Sequence, residues 1–138
     1  MTKVVYNACY GGFGLSKEAC QRYWELQGKE VWIEDNDWGF NVWLVPPEER
    51  VVQGDWKTMT KDEQIAYSRK RSEQTWDDDR VDRHDPILVQ VVEELGNKAN
   101  GMCAELAIAE VCADCYRIDE YDGYESVETP DSYDWITL

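Results

Sequence analysis

Residues 6–16, YNACYGGFGLS, bring together the residue types in this chain best suited to holding a small ligand. Gly11, Gly12 and Gly14 interrupt an apolar, aromatic run just before a stretch with helical spacing. Glycine is costly to order and marks a tight turn or a close backbone approach. A glycine loop leading from a strand into a helix can aim backbone N–H groups at an anion. Asn7 and Ser16 flank the loop with hydrogen-bonding side chains, and Phe13 offers a ring for stacking. The pattern is neither GxxxxGK[ST] nor GxGxxG, so it carries no nucleotide fingerprint. The glycines suit a purely architectural connection as well as ligand contact, and Phe13 suits a buried anchor as well as a stacking platform.

Arg83, His84 and Asp85 form a second cluster. An arginine can pair bidentately with phosphate or carboxylate, and a histidine can contact a base or move a proton near neutral pH. The same residues also describe a helix entrance, with Asp85 as the cap, Arg83 as an ion-pair partner and His84 on the surface. A general base needs a positioned substrate and an orienting group, neither of which is visible, so no catalytic residue is assigned. Tyr121, Asp122, Tyr124 and Glu125 make a compact aromatic–acidic segment. It suits a basic protein partner, a pocket wall or a turn closing a sheet.

Metal chemistry has less to stand on. Cys112 and Cys115 have CxxC spacing, but no second ligand pair follows, and structural zinc takes four close ligands. Buried free thiols are the expectation for the five cysteines. Asp77, Asp78 and Asp79 are adjacent rather than spaced as in a calcium loop, and Glu93 and Glu94 fall on a helix facing solvent. Hydrolytic carboxylates need a defined separation across a cleft, which sequence does not supply. Neither a metal nor a cofactor is assigned.

The elements that must position these residues follow from periodicity and punctuation. Lys3 to Cys9 reads as a strand, and Ser16 caps a helix from Lys17 to Gln27 that stops at Gly28. Val31 to Glu34 and Phe40 to Val45 read as strands joined by a turn at DNDWG, ended by Pro46-Pro47. Glu48 to Met59 reads as a surface excursion, and Thr60 with Glu63 as a capping box for a helix reaching toward Trp76 with a thin apolar stripe. Asp77 to Arg83 reads as loop. The strongest helix signal starts at Asp85-Pro86 and continues through Leu88, Val91, Val92 and Leu95 to Gly96. Leu106 to Val111 and Cys115 to Ile118 read as late strands. The expected fold is a single α+β domain over 1–138, with a small mixed or antiparallel sheet and two or three helices.

Charge narrows the partners. The chain carries 29 acids against 14 bases, a formal charge of −15, which disfavours direct nucleic-acid binding and anionic membranes. The acidic segment 114–138 reads as a solvated face, a docking strip for a basic partner or a nucleic-acid mimic. Seven tryptophans and eight tyrosines exceed what a small core needs, leaving some for stacking or protein contact. No basic-then-apolar leader is visible, and no apolar run approaches the roughly 18 residues of a membrane span. A soluble, intracellular protein is expected.

Three stretches, YNACYGGFGLS, RHDPILVQVVEELGNKANG and IDEYDGYESV, together resemble a small protein family widespread in tailed-bacteriophage genomes. The resemblance covers roughly residues 3–28 and 83–128 and leaves 48–80 as a divergent helical excursion. It implies a viral setting and the host cytoplasm, and carries no activity with it. Members often finish on histidine, arginine, threonine and tryptophan, whereas this chain finishes DSYDWITL. The expected function is a non-enzymatic phage accessory protein that binds a host component and inhibits host defence, with self-association as an added option. Its partner would be a host protein on the acidic, aromatic surface, or a nucleotide-like small molecule held by the glycine loop and Arg83. Nucleotide capture would need at least two of Arg22, Lys70, Arg71, Arg80 and Arg83 to converge near that loop. A small hydrolase, the third class, would need His84 or several acids facing one another in a cleft.

Overall fold

The computed structural model describes residues 2–37, 39–112 and 114–130. Along them run β1 (Thr2–Asn7), α1 (Lys17–Glu25), β2 (Trp32–Asn36), β3 (Gly39–Trp43), α2 (Lys61–Gln74), β4 (Thr75–Trp76), α3 (Pro86–Leu95), β5 (Leu106–Val111), β6 (Arg117–Tyr121) and β7 (Tyr124–Glu128). The fold is α+β in one small domain. Every ladder among the described strands is antiparallel, and the single sheet expected is divided into three: β1-β5, β2-β3-β4 and the β6-β7 hairpin.

Capping decides where the helices begin. Ser16 Oγ accepts from Ala19 N at 3.1 Å and Thr60 Oγ1 from Glu63 N at 3.2 Å, each satisfying a backbone donor that a helix start leaves open. Asp85 Oδ1 accepts from Ile87 N at 2.9 Å, and Pro86 fills the first position of α3. Its other oxygen accepts from the Tyr23 hydroxyl at 2.7 Å, fastening α1 to the entrance of α3. Burial, followed by the bond to Asp85, pushes the Tyr23 hydroxyl well above its ordinary pKa. Tyr23 also stacks on Trp76, with ring centroids 5.3 Å apart.

The core lies between the β1-β5 ladder, α1 and α3. Val5, Ala19, Leu88, Val91 and Ala99 are fully buried there, and Phe13, Trp24, Phe40 and Trp76 pack around the edge. Burying Leu88, Val89, Val91 and Val92 stabilises the fold by about 1.5–3 kcal/mol each, which makes α3 the central helix. α2 is its opposite, with Gln74 its one buried residue among those described. The Gln74 amide donates to Glu49 O at 3.0 Å and accepts from Val51 N at 2.8 Å, holding the excursion through one side chain.

Two sequence expectations need correction. Residues 121–125 take the turn arrangement, one of the readings open to them. They lie within the β6-β7 hairpin, whose Asp122-Gly123 turn has φ of 51° and 88°, as a two-residue hairpin loop requires. The strand expected at 115–118 is β6, displaced toward the turn. The cysteines are not uniformly buried: Cys20 is, Cys9 is half-buried, and Cys103, Cys112 and Cys115 are exposed. Tyr133, Trp135 and the DSYDWITL ending lie outside the described residues, as do Trp38 of the first hairpin and Ala113 between the CxxC thiols.

Candidate functional site

Asn7 has no exposed surface, and its side chain joins three separate segments. Its Nδ2 donates to Cys9 O at 2.7 Å and Gly123 O at 2.8 Å, and its Oδ1 accepts from Glu105 N at 2.8 Å. Its backbone N–H donates to Glu125 Oε1 at 2.8 Å. β7 alternates, so Tyr124 faces solvent while Glu125 turns inward and is 5% exposed. There the Glu125 carboxylate meets Arg83 bidentately at 2.6 and 2.9 Å. The Arg83 guanidinium lies 3.5 Å from the centroid of the Phe13 ring. Asn7, Phe13, Arg83 and Glu125 thus come together in one internal network, and Arg83 is committed to a carboxylate of its own chain.

The glycine loop is shaped by backbone packing. A Cβ on Gly11 would stand 1.7 Å from the Cys103 carbonyl oxygen, and one on Gly123 2.5 Å from Tyr10 O and 2.8 Å from Gly12 N. Gly14 lies against Gly101, whose N–H donates to Gly14 O at 2.9 Å. Beyond the loop, Leu15 N donates to Asp78 Oδ2 at 2.8 Å and Ser16 N to Ala99 O at 2.9 Å. One donor beside the foot of α1, Leu15 N, therefore already holds an anion, the Asp78 carboxylate. Burial chiefly, with Asp79 and Asp77 adding repulsion, raises the Asp78 pKa. Ser16 completes its bonding by donating to Lys98 O at 2.5 Å.

A cleft of about 420 Å³ opens beside the loop. Phe40, Arg71, Trp76, Asp77, Asp78 and Met102 are among its walls, so one cation faces two carboxylates. Cys20 also lines it, and burial, reinforced by Asp78, pushes that thiol up to about 12. Of the five basic residues whose convergence would favour a nucleotide, two stand near the loop, as that reading requires: Arg71 lines this cleft with Gly11, Gly12 and Gly14, and Arg83 lies against Phe13, paired with Glu125; Lys70 is exposed on α2. Arg22 binds Glu94 at 2.9 Å, and Arg80 contacts Ser72, Thr75 and Asp77.

His84 is not part of this arrangement. It is exposed, its Nδ1 is 2.7 Å from the Tyr116 hydroxyl, and it borders a separate shallow hollow with Lys3, Pro86 and Glu93. Among the described residues no group of three or more His, Cys, Asp or Glu side chains is placed to hold a metal ion. No helix among them is long and apolar enough to cross a membrane.

The outer face of the loop and hairpin is aromatic. Tyr10, Tyr121 and Tyr124 are 66%, 79% and 42% exposed, and the Tyr10 and Tyr124 rings lie 5.2 Å apart. Asp119, Glu120 and Asp122 are exposed on the same hairpin; Asp119 lies 3.7 Å from Arg117, and Glu120, opposite the inward Glu125, accepts from Gly123 N at 3.2 Å. Tyr10 belongs to this face through contacts that sequence reasoning missed, the Gly123 approach above all; Asp78 was missed because its partner is 63 residues away. Comparison with models of protein families, with curated proteins and with solved structures finds no match.

Proposed function

We propose that this protein is a non-enzymatic binding protein that docks a basic segment of a host protein on the face formed by Tyr10, Tyr121, Tyr124 and Asp122 at the tip of the β6-β7 hairpin. The observation that carries the proposal is the exposure of these three tyrosines around a turn tied to Asn7 through the Gly123 carbonyl. Tyrosine is enriched at binding hot spots, and its ring face attracts lysine and arginine. Surrounding carboxylates add long-range attraction for a basic partner and speed its encounter. The phage setting rests on the resemblance of the glycine-loop, α3 and hairpin stretches, and blocking a host defence protein is the role that setting suggests.

The nucleotide alternative has weaker support, because Arg83 is held by Glu125 and the loop's Leu15 N–H is held by Asp78. Native mass spectrometry of freshly purified protein, followed by host-lysate pull-down, separates the two. The expected result is a clean protomer mass and a basic host protein retained by wild type but lost from Tyr121→Ala/Tyr124→Ala. A nucleotide-sized adduct released by denaturation, with no protein whose retention depends on the tyrosines, would overturn the proposal.

A further inference from the structure

Two arginines of this chain are seated in the same way, on an aromatic ring with a carboxylate beside it. Arg83 lies 3.5 Å from the Phe13 ring centroid and pairs with both oxygens of Glu125. Arg50 lies 4.6 Å from the Trp43 ring centroid, and its Nη1 donates to Glu34 at 2.9 Å. A flat, delocalised cation gains from both neighbours at once, by stacking on the π face and by directed hydrogen bonds to the carboxylate. The cleft beside the glycine loop assembles the same parts again. Trp76, Asp77 and Asp78 are consecutive and all line it, together with Phe40.

Here no arginine of the chain fills the seat. Among the described residues no basic side chain pairs with Asp78, whose Oδ2 accepts from Leu15 N. Asp77 is exposed and meets Arg80 only loosely, at 3.8 Å. Arg71 also reaches the cleft, but its guanidinium lies over Trp43, 5.6 Å from the ring centroid. Trp76 keeps a face to offer. Tyr23 stacks on it at 5.3 Å and nearly parallel, while Trp24 stands almost perpendicular to both rings and 5.6 Å from each. Trp24 therefore lies along the edges of the stacked pair, and the Trp76 face turned away from Tyr23 is covered by neither ring. Burial raises the Asp78 pKa, a penalty on its charge that a cation placed beside it would offset.

We infer that the cleft is an arginine pocket, taking the guanidinium of an arginine in the basic partner segment, stacked on Trp76 and paired with Asp77 and Asp78. The inference rests on the basic-segment reading of the hairpin face and names the residue that segment must present. The two sites share one wall. Gly11 and Gly12 line the cleft, while Tyr10 O and Gly12 N adjoin Gly123 at the hairpin turn, so a segment lying on Tyr10 has its next residues beside the cleft. Charge selects the occupant. The lining carries two carboxylates to one guanidinium and the chain carries −15, which disfavours an anion. An ammonium has no plane to lay on Trp76 and no fork for two carboxylate oxygens, so lysine is the poorer guest.

The test titrates the full, isotope-labelled chain with blocked glycine pentapeptides carrying arginine, lysine or citrulline at the centre, followed by nuclear magnetic resonance. The arginine peptide is expected to give saturable shifts of the Trp76 indole N–H, identified with Trp76→Phe, and of the Asp77 and Asp78 amides. The lysine peptide should bind more weakly, and the citrulline peptide, planar but uncharged, should not saturate. Asp77→Asn/Asp78→Asn keeps both side-chain shapes and the acceptor for Leu15 N, and should weaken the arginine peptide about tenfold or more. Tyr121→Ala/Tyr124→Ala should bind that peptide as wild type does, so this titration judges the cleft while the pull-down judges the hairpin face. An absence of saturable shifts, equal binding of the three peptides, or an affinity unchanged in the asparagine variant would each overturn the inference.

Discussion

At the scale of single residues, the Arg83–Glu125 pair commits the arginine beside the glycine loop to a carboxylate of its own chain. An arginine beside a glycine loop invites an anion from outside, but this one is met by a carboxylate whose side chain is 7% exposed, while the guanidinium side keeps 19%. Removing one partner of a buried pair leaves the other charged and unpaired, which costs about 3–5 kcal/mol. Glu125→Ala, which also strips an acceptor from Asn7 N, is therefore expected to lower the melting temperature by about 10 °C or more, followed by circular dichroism. Glu125→Gln keeps an acceptor and should lose less; equal losses would show that charge pairing contributes little. Asp78 behaves in the opposite sense. Its folded pKa is raised, so the folded chain binds the proton more readily than the unfolded chain, and ionisation weakens the fold as pH rises through the folded value. Asp78→Asn keeps the acceptor for Leu15 N without the charge. Its expected effect is greater stability at pH 7, with the gain fading as pH falls toward 3.8, the ordinary value for this acid. Urea titrations at pH 7 and pH 4 measure this, and a gain independent of pH would contradict it.

At the scale of elements, two neighbouring glycines do different work. Gly11 has no room for a side chain, since its Cβ would overlap the Cys103 carbonyl. Gly12 has open space but a φ of 97°, so its constraint is conformational alone. Gly11→Ala should destabilise by at least about 3 kcal/mol because the backbones must part, and Gly12→Ala by about 1 kcal/mol. Chemical denaturation of the two variants ranks them, and the reverse order would refute the packing argument. The elements most legible in the sequence were those whose signals are local. Ser16, Thr60 and Asp85 mark their helix starts by side-chain chemistry within three residues, and Leu106 to Val111 is bounded on both sides. The β6-β7 hairpin was also written locally, in Tyr121-Asp122-Gly123-Tyr124, but the density of acids around the turn masked its alternation. β4 has two residues and exists only because β3 is there to pair with it, which no local signal reveals. The site was least legible of all. Arg83 finds Glu125 across 42 residues and Leu15 finds Asp78 across 63, and single-sequence patterns carry no record of such pairings.

At the scale of the whole molecule, charge and aromaticity act together. A formal charge of −15 repels polyanions and draws basic partners from a distance, while exposed tyrosines supply short-range contact. Association through the hairpin face should therefore weaken as ionic strength rises, mostly through a slower on-rate, and the Tyr121→Ala/Tyr124→Ala change should act mostly on the off-rate. Salt-independent retention of the host protein in the pull-down would count against the electrostatic part of the proposal. The Asn7 network has a further consequence. Among the described residues every strand partner of β1 lies at residues 106–111, and Asn7 is bonded by Gly123 and Glu125. During synthesis the first strand leaves the ribosome long before its ladder partner β5, and it waits until residue 111 has followed it. A fragment halted before Leu106 would carry Val4 and Val5 on a strand without that ladder, so the beginning of the chain is completed only late in its synthesis.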